Sequence, residues 1–368
     1  MKEGWEIKTI GDVCEIRSGR NQKEVENPNG KYPIYGSGGI MGYADDYLCE
    51  AGATIIGRKG SINNPIFVET EFWNVDTAFG FSPKETILPK FLYYFCKGFN
   101  FQAMNKGTTI PSLVKTDLLQ IRIPVPFFPE QQRIVDMLDR EFAKIDALKA
   151  NAEKSLQAAK DLFFQILAET FSNPAWTRKR IGEVFDTGAG GTPLKTYKEY
   201  YENGDIPWLR SGEVCKKYIT ETEMFITQLG MDNSSAKMFP ENSVVVAMYG
   251  ATAGQVGILH LETTTNQAVC GIFPREDFIP EFVYYSLLNS KKGLVAQATG
   301  NAQPNISQIK IKNTLVPAIP KEEQDAVVSR LDDLNDRCNT LQQNYQKTLT
   351  LCDDLKQSLL RKAFCGEL

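Results

Sequence analysis

Residues 130–171, EQQRIVDMLDREFAKIDALKANAEKSLQAAKDLFFQILAETF, decide the fold. Apolar side chains fall at Ile134, Leu138, Phe142, Ile145, Ala152, Leu156, Ala159, Phe163 and Ile166, mostly in steps of three and four, and no proline or glycine interrupts them. This spacing draws a narrow apolar stripe along one side of a helix, which then needs a partner helix. At ~1.5 Å per residue such a helix is about 60 Å long. Val327, Leu331, Leu334, Cys338, Leu341, Tyr345, Thr348, Cys352, Leu355 and Leu359 supply the matching stripe. Each run follows a globular segment. The expected fold class is α/β: two mixed α+β modules, 1–128 and 174–320, separated by two long antiparallel coiled-coil helices, 129–173 and 321–368, with an approximate internal two-fold.

A chain of 368 residues is too long for one core and suits two domains with a spacer. No apolar stretch approaches the ~20 residues that span a bilayer, and residues 1–11 lack a signal-peptide core, so a cytoplasmic protein with no membrane partner is expected. The eight cysteines form no CxxC pair, and Cys338 and Cys352 sit on a helix seam, so reduced, mostly buried thiols are expected. The single histidine, His260, follows an apolar run and reads as structural; no metal site is expected. The net charge of −4 lies wholly on the helices: residues 1–128 and 174–320 each hold 14 Lys/Arg against 14 Asp/Glu. Each module can therefore still present a basic face.

The two halves repeat. WEIKTIGDVCEIRSG (5–19) parallels WTRKRIGEVFDTGAG (176–190) at an offset of 171; FLYY (91–94) parallels FVYY (282–285) at 191. Gly107 and Pro111 match Gly300 and Pro304, and Pro124, Gln131 and Asp139 match Pro317, Gln324 and Asp332, all at 193. The drift places about 19 extra residues near 192–241 in the second module. Strands are expected at 13–16, 54–56, 66–69, 121–125, 243–248, 256–259 and 269–273. Short helices opened by Pro89 and Pro280 are expected at 89–95 and 280–288. Glycine-rich loops are expected at 35–42 and 187–192.

Catalytic signatures are absent. GATIIGRK (52–59) resembles a phosphate-binding loop, but Arg58 replaces the lysine and no Ser/Thr follows in register. NPIF (64–67) lacks the second proline of an adenine-methyltransferase motif, and residues 188–191 lack the GxGxxG order. No catalytic residue is assigned. Both modules instead carry basic and small polar residues in or beside loops: Arg17, Arg20, Arg58, Lys59, Ser61, Lys106 and Thr108 in the first, Lys195, Tyr197, Arg210, Tyr249, Lys291, Asn301 and Gln303 in the second. Lys and Arg attract phosphates, and Arg, Asn, Gln, Ser and Thr can read base edges, so double-stranded DNA is the expected ligand. Leu162, Phe164, Leu167 and Leu360 lie off the helix stripes and are candidates for docking other subunits. Two further readings stay open on the residues alone: a stand-alone or decoy DNA-binding protein, and a coiled-coil scaffold whose modules bind proteins.

The order of module, IPVP…EQQRIVDMLD, long helix, second module, VPAIP…EQDAVVSRLD, long helix and LLRKAFCGEL resembles the specificity subunit of a type I restriction–modification system over essentially the whole chain. GTPLKTYKEYYENGDIPWLRSGEV (191–214) and KYPIYGSGGIMGY (31–43) resemble openings of that family's target-recognition domains. Pro129, Lys321 and the extra Glu before Gln324 depart modestly from the pattern. The resemblance implies that each target-recognition domain reads half of a bipartite asymmetric site while the helices set the unread gap. It also implies that this chain is non-catalytic and binds no cofactor. Two modification subunits would bring S-adenosylmethionine, and two restriction subunits would add ATP- and Mg-dependent translocation and cleavage.

Overall fold

The computed structural model describes residues 4–297 and 305–368. The chain divides into two compact units: residues 1–154 with 345–368, and residues 155–344. The long helices, Phe128–Phe171 and Lys321–Cys365, are each divided between the units. The expected modules are therefore completed by helix from elsewhere in the chain. The first unit takes the start of the first helix and the end of the second, and the second unit takes the remaining halves.

In the first unit, Ala53–Gly57 is buried at every position and apolar at all but Thr54, as suits a central strand. It lies in an antiparallel sheet of order Cys14–Ser18, Ala78–Pro83, Ala53–Gly57, Ile66–Val68. A second sheet joins Gly39–Ala44 to Tyr32–Gly36, with Trp73–Asn74 parallel on its other side. Residues 35–42 are thus part of a hairpin rather than a loop; glycines at the turn disguised the alternation of Tyr32, Ile34 and Ala44. Helix Pro89–Gly98 packs on the first sheet, proline at its first turn. The ribbon Glu6–Thr9 with Arg122–Val125 closes the module where the long helix begins.

The second unit repeats this plan around Val244–Ala247, in a sheet of order Thr187–Ala189, Val269–Ile272, Val244–Ala247, Val256–Leu259, Tyr218–Ile219. The start of the loop expected at 187–192 is thus a strand. The smaller sheet has the order Phe225–Ile226, Ile206–Leu209, Thr263–Thr265, Met238–Phe239. Three strands of this smaller sheet, and Tyr218–Ile219 of the larger one, come from residues 192–241, where the extra length was expected. Helix Pro280–Ala296 outruns its expected end, and Arg178–Arg180 with Leu315–Pro317 closes the module.

The repeat is mechanical as well as sequential. Gln131 is buried, and its Oε1 accepts from the Leu88 amide at 2.8 Å while its Nε2 donates to the Pro126 carbonyl at 2.8 Å. Gln324 likewise accepts from the Ile279 amide and donates to the carbonyls of Asp277 and Ile319, each at 2.9 Å. The glutamine of each Glu-Gln pair therefore ties a long helix to the start of the short helix beside it. About two turns further along the long helix, Tyr94 donates to Asp139 and Tyr285 to Asp332. Lys90 completes the first pair, 2.7 Å from Asp139. The corresponding position holds Glu281, and Lys217, from the region of extra length, provides the cation for Asp332 instead.

Helix pairing follows the expected seam except at Leu341 and Leu355, which were expected on it but turn outward, 41% and 49% exposed. In the first unit Lys149 meets Asp353 at 2.7 Å and Lys356 meets Asp146, an antiparallel order; Ile134, Leu138 and Leu360 are buried in its core. In the second unit Phe163, Leu167 and Phe171 pack in one core with Val328, Leu331 and Cys338. The aromatic anchors correspond: Phe364 lies 5.0 Å from Phe91, and Phe171 5.5 Å from Phe282. Each fully buried side chain of this size contributes about 1.5–3 kcal/mol. All eight cysteines are free, and Cys215 and Cys365 are exposed. The His260 ring lies 4.4 Å from that of Tyr218. Among the described residues no helix is long and apolar enough to cross a membrane.

Candidate nucleic-acid interface

Five connections meet at one end of the first unit's sheets. They follow Cys14–Ser18, Tyr32–Gly36 and Ala53–Gly57, separate Trp73–Asn74 from Ala78–Pro83, and run through residues 106–112. Backbone hydrogen bonds clamp them together. The Arg20 amide donates to Asn74 at 2.9 Å, the Arg58 amide to Thr77 at 2.8 Å, the Val75 amide to Tyr35 at 2.9 Å and the Gly60 amide to Pro111 at 3.0 Å. Gly60 takes a φ of +80°, a left-handed turn that glycine alone adopts without strain. A Cβ on Gly19 would lie 1.9 Å from the Val75 carbonyl oxygen, so that crossing also requires glycine.

The second unit builds the same end. The Gly191 amide donates to Thr265 at 2.8 Å, the Met248 amide to Ala268 at 2.7 Å and the Asn266 amide to Leu209 at 2.9 Å. Gly250 takes a φ of +75°, and a Cβ on Gly190 would lie 2.0 Å from Thr265 Oγ1. Even the indole lock is preserved from a different strand: Trp73 Nε1 donates to the Arg20 carbonyl at 3.1 Å, and Trp208 Nε1 to the Gly191 carbonyl at 3.0 Å. The backbone frame is shared while the outward side chains differ.

Most of the candidate residues of the first unit gather at this end. Arg20, Lys59, Ser61 and Thr108 are exposed. Arg58 is partly buried, its guanidinium 5.8 Å from the centre of the Phe79 ring. Lys106 is exposed and 3.7 Å from Asp117, a weak surface pair that leaves it available. Arg17 is the exception: its guanidinium donates to the Leu48 carbonyl at 2.6 Å and pairs with Glu15, which holds it above its ordinary pKa, so the side chain is a structural tie.

In the second unit Lys195 and Tyr197 are exposed, and Tyr249 occupies the position of Lys59, just before the left-handed glycine. Arg210 is already engaged with Glu213 at 3.0 Å and with Glu223, so its charge is largely spent within the protein. Lys291 donates to Gln255 at 3.0 Å and supports the Tyr249 loop from the helix below. Asn301 and Gln303, with Gly300 and Pro304, lie outside the described residues. Sequence reasoning did not single out Asp76, Asn266 and Gln267 at this end. The offset of 191 brings them together, since it places residues 74–77 on 265–268.

The docking candidates separate sharply. Leu162 and Phe164 are 42% and 49% exposed. Leu167 and Leu360 are each 1% exposed and belong to the cores of their own units, so they are corrected to packing residues. The two occupy equivalent positions at the 193 offset, on the inward side of their helices. Exposed leucines recur at the same offset: Leu148 with Leu341, and Leu162 with Leu355.

The family model of the type I restriction modification DNA specificity domain matches residues 2–158 and again 173–351. The chain is 24% identical over 422 residues to the specificity subunit of the type I restriction enzyme MjaIX of Methanocaldococcus jannaschii, covering 100% of this chain and 94% of the relative. It is 25% identical over 242 residues to the EcoR124I/EcoR124II specificity subunit of Escherichia coli, covering 63% of this chain but 59% of that relative. Its fold matches a chain from a structural study of complex assembly and conformational transition of the type I R-M system, with a TM-score of 0.82, 20% identity and coverage of 100% and 99%. The HsdS subunit from Thermoanaerobacter tengcongensis matches with a TM-score of 0.63, 20% identity and coverage of 100% and 98%. With one family match on each of the two repeats, this chain belongs to the type I restriction modification DNA specificity domain family.

Proposed function

We propose that this chain is the DNA-reading subunit of a type I restriction–modification enzyme, working in the cytoplasm and itself non-catalytic. The five-connection end of each unit reads one half of a bipartite, asymmetric double-stranded site, and the continuous long helices fix the unread gap. The observation that carries this reading is the duplicated clamp of backbone hydrogen bonds with different exposed side chains on it. Lys59, Arg20 and Lys195 supply phosphate attraction, and the polar turns read base edges.

Two modification subunits dock on the exposed leucines, whose recurrence at one offset suits two copies of one partner. Those subunits hold S-adenosylmethionine and methylate adenine; two restriction subunits, using ATP and Mg, translocate and cut. The test is adenine methylation mapped across the host genome by long-read sequencing, with and without the gene. A split asymmetric motif that vanishes on deletion is expected. An unchanged methylation map in a host making active partner subunits would overturn the reading.

A further inference from the structure

The turn at residues 74–77 and its equivalent at 265–268 are each held by a matching set of four backbone hydrogen bonds. In the first unit, Arg20, Val75, Arg58 and Ala78 each bind the turn or its flank through backbone amides. In the second, Gly191, Asn266, Met248 and Val269 make the same bonds within 0.2 Å of the first unit's distances (2.8 against 2.9, 2.9 against 2.9, 2.7 against 2.8 and 3.1 against 2.9 Å). Both turns therefore present one outward side chain on a fixed backbone: Asp76 in the first unit and Gln267 in the second, both exposed. Neither side chain has a hydrogen bond or ion pair among the described residues, so neither supports the fold.

An aspartate here calls for a reason. It stands beside Arg58, whose Nη1 approaches the Asp76 carbonyl at 3.5 Å, on the surface proposed above to meet phosphates. A carboxylate next to a phosphate backbone is repelled, yet in the major groove it is the natural acceptor for the cytosine N4 amino group. A glutamine at the same place offers the donor and acceptor that match adenine N6 and N7. Asn266 beside it is restrained: its Oδ1 accepts from the Ala268 amide at 3.2 Å, which leaves Gln267 as the free amide.

Building on the DNA-reading role proposed above, we propose that Asp76 and Gln267 are specificity-determining residues at matching places in the two half-sites, Asp76 selecting a cytosine and Gln267 an adenine. The test uses the full chain produced with its modification subunits, comparing wild type, Asp76→Asn and Gln267→Glu, both isosteric. Methylation motifs are mapped by long-read sequencing. Binding of each purified complex to duplexes changed at single positions is measured in parallel. Asp76→Asn is expected to move one position of one half-site from C·G toward A·T, and Gln267→Glu to move one position of the other half-site from A·T toward C·G. Each change is expected to alter discrimination at that base pair by about tenfold to a hundredfold.

Unchanged preferences at every position would overturn the assignment, as would changes from both variants in the same half-site. A loss of affinity equal for all sequences would also overturn it, since that marks a backbone contact or a structural role. Where methylation is lost, the binding measurement decides on the same terms. A wild-type complex that gives no split motif would instead sink the underlying DNA-reading role.

Discussion

Replacing Gln324 with leucine removes all three hydrogen bonds of a side chain that is fully buried, while keeping its approximate volume. The Ile279 amide and the carbonyls of Asp277 and Ile319 then lose their partner. Each stranded buried group costs ~1–3 kcal/mol. Water can reach the partly buried Asp277 side of the site, so the low end applies and the sum is about 3–5 kcal/mol. Against a domain stability of about 5–15 kcal/mol this is a large loss, but the unit should still fold. Hydrogen exchange followed by mass spectrometry reads it directly. Amides of helix Pro280–Ala296 should exchange about two to three and a half orders of magnitude faster. Those of helix Pro89–Gly98 in the other unit should not change. Gln131→Leu should give the mirror result. Less than fivefold acceleration in the home unit, or equal acceleration in both, would refute the idea that each glutamine locks its own unit.

Burial, and then the hydrogen bond to Asp332, raise the Tyr285 phenol well above its ordinary pKa, and Tyr94 is raised likewise by burial and Asp139. The stability these phenols contribute is present in full below about pH 10 and is lost as pH climbs toward the raised folded values; Tyr94→Phe with Tyr285→Phe should therefore flatten alkaline denaturation curves. Lys59→Ala should lower the slope of log binding constant against log salt by about 0.9, whereas Arg17→Ala should leave the slope unchanged and reduce the melting temperature. Leu360→Ala should cost about 2–5 kcal/mol in chemical denaturation. Leu162→Ser with Phe164→Ser should stay within ~1 kcal/mol yet weaken capture of the modification subunits in pull-down titrations.

The long helices and the repeat were legible because their signals are periodic or duplicated, and a stripe of Ile134, Leu138 and Ile145 has only one economical reading. The pairing of Phe364 with Phe91 and of Phe171 with Phe282 was not legible, since nothing local tells a helix end which module will receive it. Leu167 and Leu360 were misplaced for the same reason: a residue off the helix–helix stripe can face a third element, here its own module. The movement of a cation from Lys90 to Lys217 lies beyond pattern reading, because the replacement sits 115 residues from the carboxylate it serves. At the interface, composition located the loops, but whether Arg17 and Arg210 were free or already paired depended on Leu48, Glu213 and Glu223, which are neighbours only in three dimensions.

The exchange of helix ends also sets an order in time. Residues 155–344 are made as one uninterrupted stretch and can close their core as soon as they leave the ribosome. The first unit cannot, because Leu360 and Phe364 of its core are made after all of the second. At about 5–20 residues per second, roughly 10–40 s separate residue 154 from residue 368. During that interval the seat formed by Phe91, Phe95 and Gly98 stands open. The half of the protein that is synthesised first is thus the last to be finished, and the nascent chain carries an exposed aromatic surface until its final helix arrives.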